Sequence, residues 1–139
     1  MIRRAPLALS LLLGLASAAR AGPARQCVDR SEALVGQRAR LVDKDFPAPR
    51  KLRSVQPDYP TRPGSSKMES SIWVGEALVD REGQVRDVWT IRPLRFEPAW
   101  PEFEDALLAS IRQTVYEPSV VDGTAVPVCV TISVINHVR

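Results

Sequence analysis

Apolar residues at every second position close the chain, and this alternation constrains the fold more than any other feature. The residues are Val126, Val128, Val130, Ile132 and Val134. Successive side chains of a β-strand point to opposite faces, so these five would form one continuous apolar face. The pattern predicts a terminal strand that covers a hydrophobic core on one side. Its other face would carry Cys129, Thr131 and Ser133.

A helix is predicted over residues 101–115. Phe103, Leu107 and Ile111 fall on one face at helical spacing. Pro101 suits a first helical turn, where its missing N–H has no intrahelical partner. Acidic residues follow in that turn, where the helix dipole favours negative charge. The apolar face of this helix would lie on the terminal strand.

Two further strands are predicted over residues 71–80 and 84–91. Both runs are rich in β-branched and aromatic residues, and the acidic turn between them ends in Gly83. This arrangement indicates a β-hairpin. The first run carries apolar residues on both of its faces, which is typical of a central strand.

The element order predicts an α+β fold. Residues 50–139 would form a two-layer domain, a three-stranded antiparallel sheet with one helix packed on it, in the order strand, strand, helix, strand. Residues 52–66 contain three prolines and would form an extended arm. Residues 22–49 show no strong period and are interpreted as an N-terminal extension. Three strands leave two free edges, and a long β-branched edge invites pairing with another chain.

Residues 1–21 have the pattern of a cleaved secretory signal. Arg3 and Arg4 precede an apolar run of about 15 residues, which ends in the small-x-small sequence Ala19-Arg20-Ala21. An uncleaved membrane anchor is the alternative, although a spanning helix needs about 20 apolar residues. The prediction is a periplasmic or secreted protein that contacts a membrane only if this segment is retained.

The charge balance follows from the export prediction. Removing residues 1–21 takes three arginines and no acid, which leaves 16 basic against 16 acidic residues. A mature protein with no net charge lacks the basic footprint of a nucleic-acid-binding protein. The overall composition, 45% hydrophobic and 25% charged in 139 residues, is that of one globular domain.

Cys27 and Cys129 are the two cysteines of the chain. An even count in an exported protein favours a disulfide between them, although two unpaired thiols are the alternative. They cannot form a four-ligand zinc site with the single His137, because no carboxylates show ligand spacing. The sequence predicts no metal and no cofactor.

No pattern in the sequence indicates catalysis. A nucleophile with its base, a carboxylate pair in a cleft or a metal cluster would be needed. The only histidine lies two residues from the end, and the acids at 102–105 are explained as helix-start residues. The prediction is a protein that is not an enzyme.

Four short motifs lie in order between residues 50 and 137. They are the sequence Gln-Pro-Asp-Tyr-Pro at 56–60, the Val-Asp-x-x-Gly-x-Val hairpin at 79–85, Tyr-Glu-Pro at 116–118 and Asp-Gly at 122–123. Together with the predicted helix and the alternating terminal strand, this series resembles the C-terminal domain of the TonB energy-transducer family, over roughly residues 50–137. Each motif alone is weak, whereas their order and spacing are fairly specific.

The resemblance implies a periplasmic binding module that takes part in TonB-dependent transport across the outer membrane. The partner would be a receptor whose short N-terminal box adds as a strand beside the last strand of the domain, which is β-augmentation. The implied contact surface is that strand with the arm beside it. Its residues are Gln56, Pro57, Tyr59, Val126, Val128, Val130, Thr131, Ile132, Ser133 and Val134.

Two features of the chain depart from a full energy transducer. The leading segment has the pattern of a cleavable signal, and only about 28 residues separate it from the arm, with no Pro-rich spacer. Coupling to an inner-membrane motor is therefore left open. The alternative function is a stand-alone structural domain that pairs its free edge with a second copy as a homodimer. Gln56 and Tyr59 would then be an ordinary turn residue and a cover for the helix end.

Overall fold

The computed structural model describes residues 26–62 and 68–138, so the predicted signal segment lies outside the described residues. In chain order the elements are α1 Gln26–Val35, β1 Arg40–Leu41, β2 Lys51–Arg53, β3 Glu69–Val79, β4 Val85–Arg92, α2 Pro101–Arg112, β5 Val115–Tyr116, β6 Ser119–Val121, β7 Thr124–Val126 and β8 Val128–Val138. None of the described helices has the length and apolar character needed to cross a bilayer.

The main sheet has four strands in the order β1-β8-β3-β4. Strands β3 and β8 pair antiparallel over their full lengths, from Glu69 opposite Val138 to Val79 opposite Val128. β3 continues into β4 through the predicted turn, where the Asp80 carboxylate accepts hydrogen bonds from the backbone N–H groups of Glu82 and Gln84. The hairpin was therefore predicted correctly, and β3 is the central strand of the long ladder.

The α2 face of the sheet contains the larger part of the core. Trp73, Ala77 and Val88 of the sheet pack with Leu107 and Ile111 of the helix. The partly buried side chains of Ile132 and Val134 lie against the same cluster, as the alternation predicted. α2 begins at the predicted Pro101 and ends at Arg112, three residues earlier than expected.

α1 packs on the opposite face of the sheet. Cys27 and Val28 of the helix contact Leu78, Trp89 and Cys129. The Cys27–Cys129 disulfide is present, with its Cα atoms 6.0 Å apart. Cys129 thus faces away from α2, and both the predicted bridge and its predicted side of the sheet are confirmed.

The α+β class is confirmed, but the count of elements was wrong. The N-terminal extension adds α1 and β1, so the sheet has four strands instead of three and the described chain has two helices. α1 has three buried residues, Cys27, Val28 and Ser31, and its last residue, Val35, packs partly buried against the same cluster. A ten-residue helix with so few apolar positions is held by tertiary contacts, which a periodicity search does not detect.

The terminal strand begins later than predicted. β6 and β7 form a small hairpin whose turn contains Asp122 and Gly123, both with positive φ. Pro127 separates this hairpin from β8. Pro127 belongs to neither strand, and Val126 pairs with Ser119 inside the hairpin. Val126 therefore belongs to β7 and not to the long strand.

Candidate functional site: the open edge of β8

Within residues 26–62 and 68–138, the outer edge of β8 is covered only at its beginning. β1 lies parallel to it, with Arg40 opposite Val128 and Leu41 opposite Cys129. The Arg40 N–H donates to the Pro127 carbonyl at 3.0 Å, and the Val42 N–H donates to the Cys129 carbonyl at 3.4 Å. The carbonyl groups of residues 127 and 129 therefore point away from β3 and toward β1.

Beyond Cys129, no strand in the described part of the chain pairs with this side of β8. Backbone groups alternate between the two sides of a strand. Since residues 127 and 129 direct theirs outward, the same phase applies to Thr131, Ser133, Ile135 and His137. Among the residues that the structure describes, these four N–H and C=O pairs have no backbone partner and lie in one row, while the residues between them bond to β3.

The side chains beside this row do not protect it. Thr131 and Ser133 are exposed, and Ile135 is 62% exposed opposite the partly exposed Ile72. Natural proteins guard free edges with lysine, proline or bulges. Residues 130–138 contain none of these devices, and the ladder to β3 runs through them without a register shift. The edge is therefore open to a further strand.

The arm lies beside β8 on the α2 side. Gln56, Pro57 and Tyr59 line a cavity of about 250 Å³ together with Ile132 and Val134. The structure thus brings three predicted arm residues next to two predicted strand residues.

Tyr59 fixes the far end of the arm. Its ring stacks on Phe103 with centroids 3.8 Å apart, and its hydroxyl donates to Asn136 Oδ1 at 3.0 Å. Burial raises the pKa of Tyr59 above its ordinary value, because a phenolate is poorly solvated there. The ring and the hydroxyl together anchor the arm to both α2 and β8.

The predicted strand residues divide into two groups. The side chains of Val128 and Val130 are buried in a cluster with Val79 and Tyr116, and Val126 packs against that cluster from β7. Ile132 and Val134 face α2. None of these five side chains points to the solvent face, where Thr131 and Ser133 lie. The apolar residues support the strand, and an added strand would meet its backbone.

The predicted edge ran from Val126 to Ile135 and did not include two residues at the far end of β8. His137 continues the outward row after Ile135, and Asn136 holds the arm through Tyr59. The strict alternation ends at Val134, so the apolar pattern gave no reason to extend the site. The period of two itself, counted onward to residue 138, is the signal that identifies them.

The described residues contain no group of three His, Cys, Asp or Glu side chains placed to hold a metal ion. No family model, curated protein or solved structure matches the chain. The open edge and the arm beside it are therefore the evidence on which a function is proposed.

Proposed function

We propose that the protein is an exported binding module that takes an extended segment of a partner protein as an added strand on β8. The observation that carries the proposal is the unguarded row of free backbone groups from Thr131 to His137. β-Augmentation uses such a row for affinity and the alternate side chains of the added strand for selectivity. Export is supported by the Cys27–Cys129 disulfide, since such bonds persist in oxidising compartments.

The resemblance to TonB C-terminal domains suggests the partner. It would be the N-terminal box of an outer-membrane receptor, in a role linked to TonB-dependent transport. This function needs no cofactor and no catalytic group.

The test is a pair of substitutions at Thr131. Its N–H points outward, so Thr131→Pro removes a donor from the free row and leaves the bonds to β3 in place. Thr131→Val keeps the N–H and nearly the same shape. We expect the proline variant to bind synthetic receptor-box peptides at least tenfold more weakly than the valine variant, measured by isothermal titration calorimetry.

The second pair, Ser133→Pro and Ser133→Val, repeats the comparison one outward position along. Circular dichroism and thermal unfolding are the controls that establish whether each of the four variants is folded. Equal peptide affinity of the folded proline and valine variants would show that β8 is not the recognition edge.

The same edge supports a second candidate function, pairing with another copy of the chain. The observation in its favour is the cross-strand pair of Ile72 and Ile135, both exposed beside the open row. Two antiparallel β8 strands would bury these residues across the two-fold axis. Solution size separates this candidate from the first.

A further inference from the structure

A groove of about 390 Å³ lies where the open edge of β8 ends. One wall is the last part of β8, residues 135–138. The opposite wall is formed by Tyr59, Arg62, Trp100 and Phe103. A strand added along β8 would run into this groove, so the two features are continuous.

Trp100 is the central residue of this wall. Its ring lies 4.8 Å from that of Phe103 and 6.0 Å from that of Phe96, measured between centroids. Trp73 and Trp89 are buried in the two cores, whereas Trp100 is half-exposed and also lines the neighbouring hollows. Tryptophans in such positions are frequent anchors of protein interfaces.

Arg62 lines the groove, but its positive charge is compensated by Glu69. Its guanidinium Nη1 lies 2.9 Å from Glu69 Oε2, and Nη2 donates to the Pro98 carbonyl at 3.0 Å. The Arg62 side chain is only 5% exposed and lies 5.6 Å from the Trp100 ring centroid. An acidic partner side chain would gain little here, because the cation already has its carboxylate.

One buried side-chain atom behind the groove wall, Asn136 Nδ2, has no hydrogen-bond partner among the described residues. Asn136 is 7% exposed, and its Oδ1 accepts from Tyr59. Exchanging the amide oxygen and nitrogen does not change this, because the Tyr59 hydroxyl satisfies either atom and leaves the other. Buried polar groups normally have a partner.

We propose that this groove selects the partner segment, by accepting one large uncharged side chain, aromatic or aliphatic, from the strand added to β8. The inference rests on the proposed function. The chemistry of the walls fits an apolar side chain stacked on the half-exposed Trp100 ring. The free backbone groups of β8 can bond to an added strand of any sequence. The groove therefore provides the selectivity between partner segments.

The test uses a displayed library of random heptapeptides selected on the full-length mature protein. We expect the bound peptides to share a Trp, Phe, Leu or Ile at one position. For a synthetic peptide of the selected sequence, Trp100→Ala should lower affinity at least tenfold, and Trp100→Phe should restore most of it. The bound peptide should also protect the Trp100 fluorescence from acrylamide.

A second variant blocks the groove without removing a packed ring. Thr61 is exposed at the groove wall, so Thr61→Tyr fills the space and should lower affinity for the same peptide about tenfold. Val120→Tyr places the same ring on the exposed face of the β6–β7 hairpin and is the matched control. It should leave affinity unchanged.

The outcomes separate the two proposals. Binding that is lost in Thr131→Pro but unaffected by Trp100→Ala and Thr61→Tyr would overturn the groove inference and leave the edge function standing. Binding lost in the groove variants but retained in folded Thr131→Pro would overturn the edge function and the inference that depends on it. Failure of the library to yield any binder would count against both.

Discussion

Tyr116 is buried without a hydrogen bond to its side chain from the described residues. It is 2% exposed, and its hydroxyl has no hydrogen-bond partner among the described residues. Its backbone is well held, since its N–H donates to the Gly83 carbonyl at 2.8 Å. The ring therefore contributes to packing, while the hydroxyl has a desolvation cost without a compensating bond.

Tyr116→Phe is expected to keep or raise stability, by up to about 1 kcal/mol in the free energy of unfolding. Burial raises the pKa of Tyr116 above its usual 10.0, because it disfavours the phenolate. A raised pKa gives stability that is complete below the unfolded value and is lost as pH rises through the folded one. The variant should therefore lose less stability than the wild type above pH 10.

Urea unfolding at pH 7 and at pH values above 10 measures both effects. Tyr59→Phe is the comparison variant, because it removes a hydroxyl that does have a partner, Asn136. It should lower stability at pH 7. A loss of more than 1 kcal/mol in Tyr116→Phe would mean that its hydroxyl is bonded.

The reason for the glycine at position 75 cannot be predicted from the sequence. A Cβ at this position would collide with the Trp73 ring and lie 2.6 Å from the Trp89 carbonyl oxygen. The glycine thus provides the space in which the buried Trp73 lies flat along its own strand. The sequence shows a small residue in a strand, but the reason depends on one side-chain orientation.

Among the elements, the sequence predicted α2 but not α1, because the two helices are stabilised in different ways. α2 has an apolar stripe that packs on the sheet along its length, and that stripe is visible as a period in the sequence. α1 is stabilised by contacts that come from distant parts of the chain. They are the disulfide to Cys129 and a 3.4 Å hydrogen bond from the Cys27 N–H to Glu76 Oε2.

Removing the disulfide by Cys27→Ser with Cys129→Ser is expected to release α1. The two cysteines are 102 residues apart in the sequence. Closing a loop of this length lowers the entropy of the unfolded chain and stabilises the fold by about 4–5 kcal/mol in the chain-entropy model. Hydrogen exchange followed by mass spectrometry should show loss of protection first in residues 26–41. β3, β4 and α2 should exchange only through global unfolding, because the cluster around Trp73 contains no residue of α1.

Leu34→Ala is the control, since this helical residue is 39% exposed and outside the cluster that α1 forms with the sheet. It should leave exchange in residues 26–41 close to that of the wild type. Unchanged protection of α1 in the double serine variant would show that packing alone holds the helix.

For the whole molecule, the two candidate functions predict different oligomeric states. Peptide binding needs one copy of the chain, whereas edge pairing needs two. Light scattering during size-exclusion chromatography should show a monomer of the mature chain that forms a one-to-one complex with a receptor-box peptide. A dimer that Thr131→Pro converts to a monomer, while Thr131→Val does not, would instead support pairing between copies.

Only part of the candidate site could be predicted from the sequence. Periodicity located the terminal strand and the sides on which Cys129 and Ile132 lie. It did not show that residues 40–41 cover the first part of the edge, because a two-residue strand leaves no pattern. The groove at Trp100 was also missed, since its walls come from segments far apart in the sequence.

The short strand β1 also sets where an added strand must stop. It occupies the edge of β8 up to Cys129, and it is tied to α1 because the Ala39 N–H donates to the buried Ser31 Oγ at 2.8 Å. In the proposed complex, an added segment would therefore abut β1 at one end and enter the Trp100 groove at the other. The binding site would have a fixed length, so a bound segment could not shift by two residues without losing its contacts at one end.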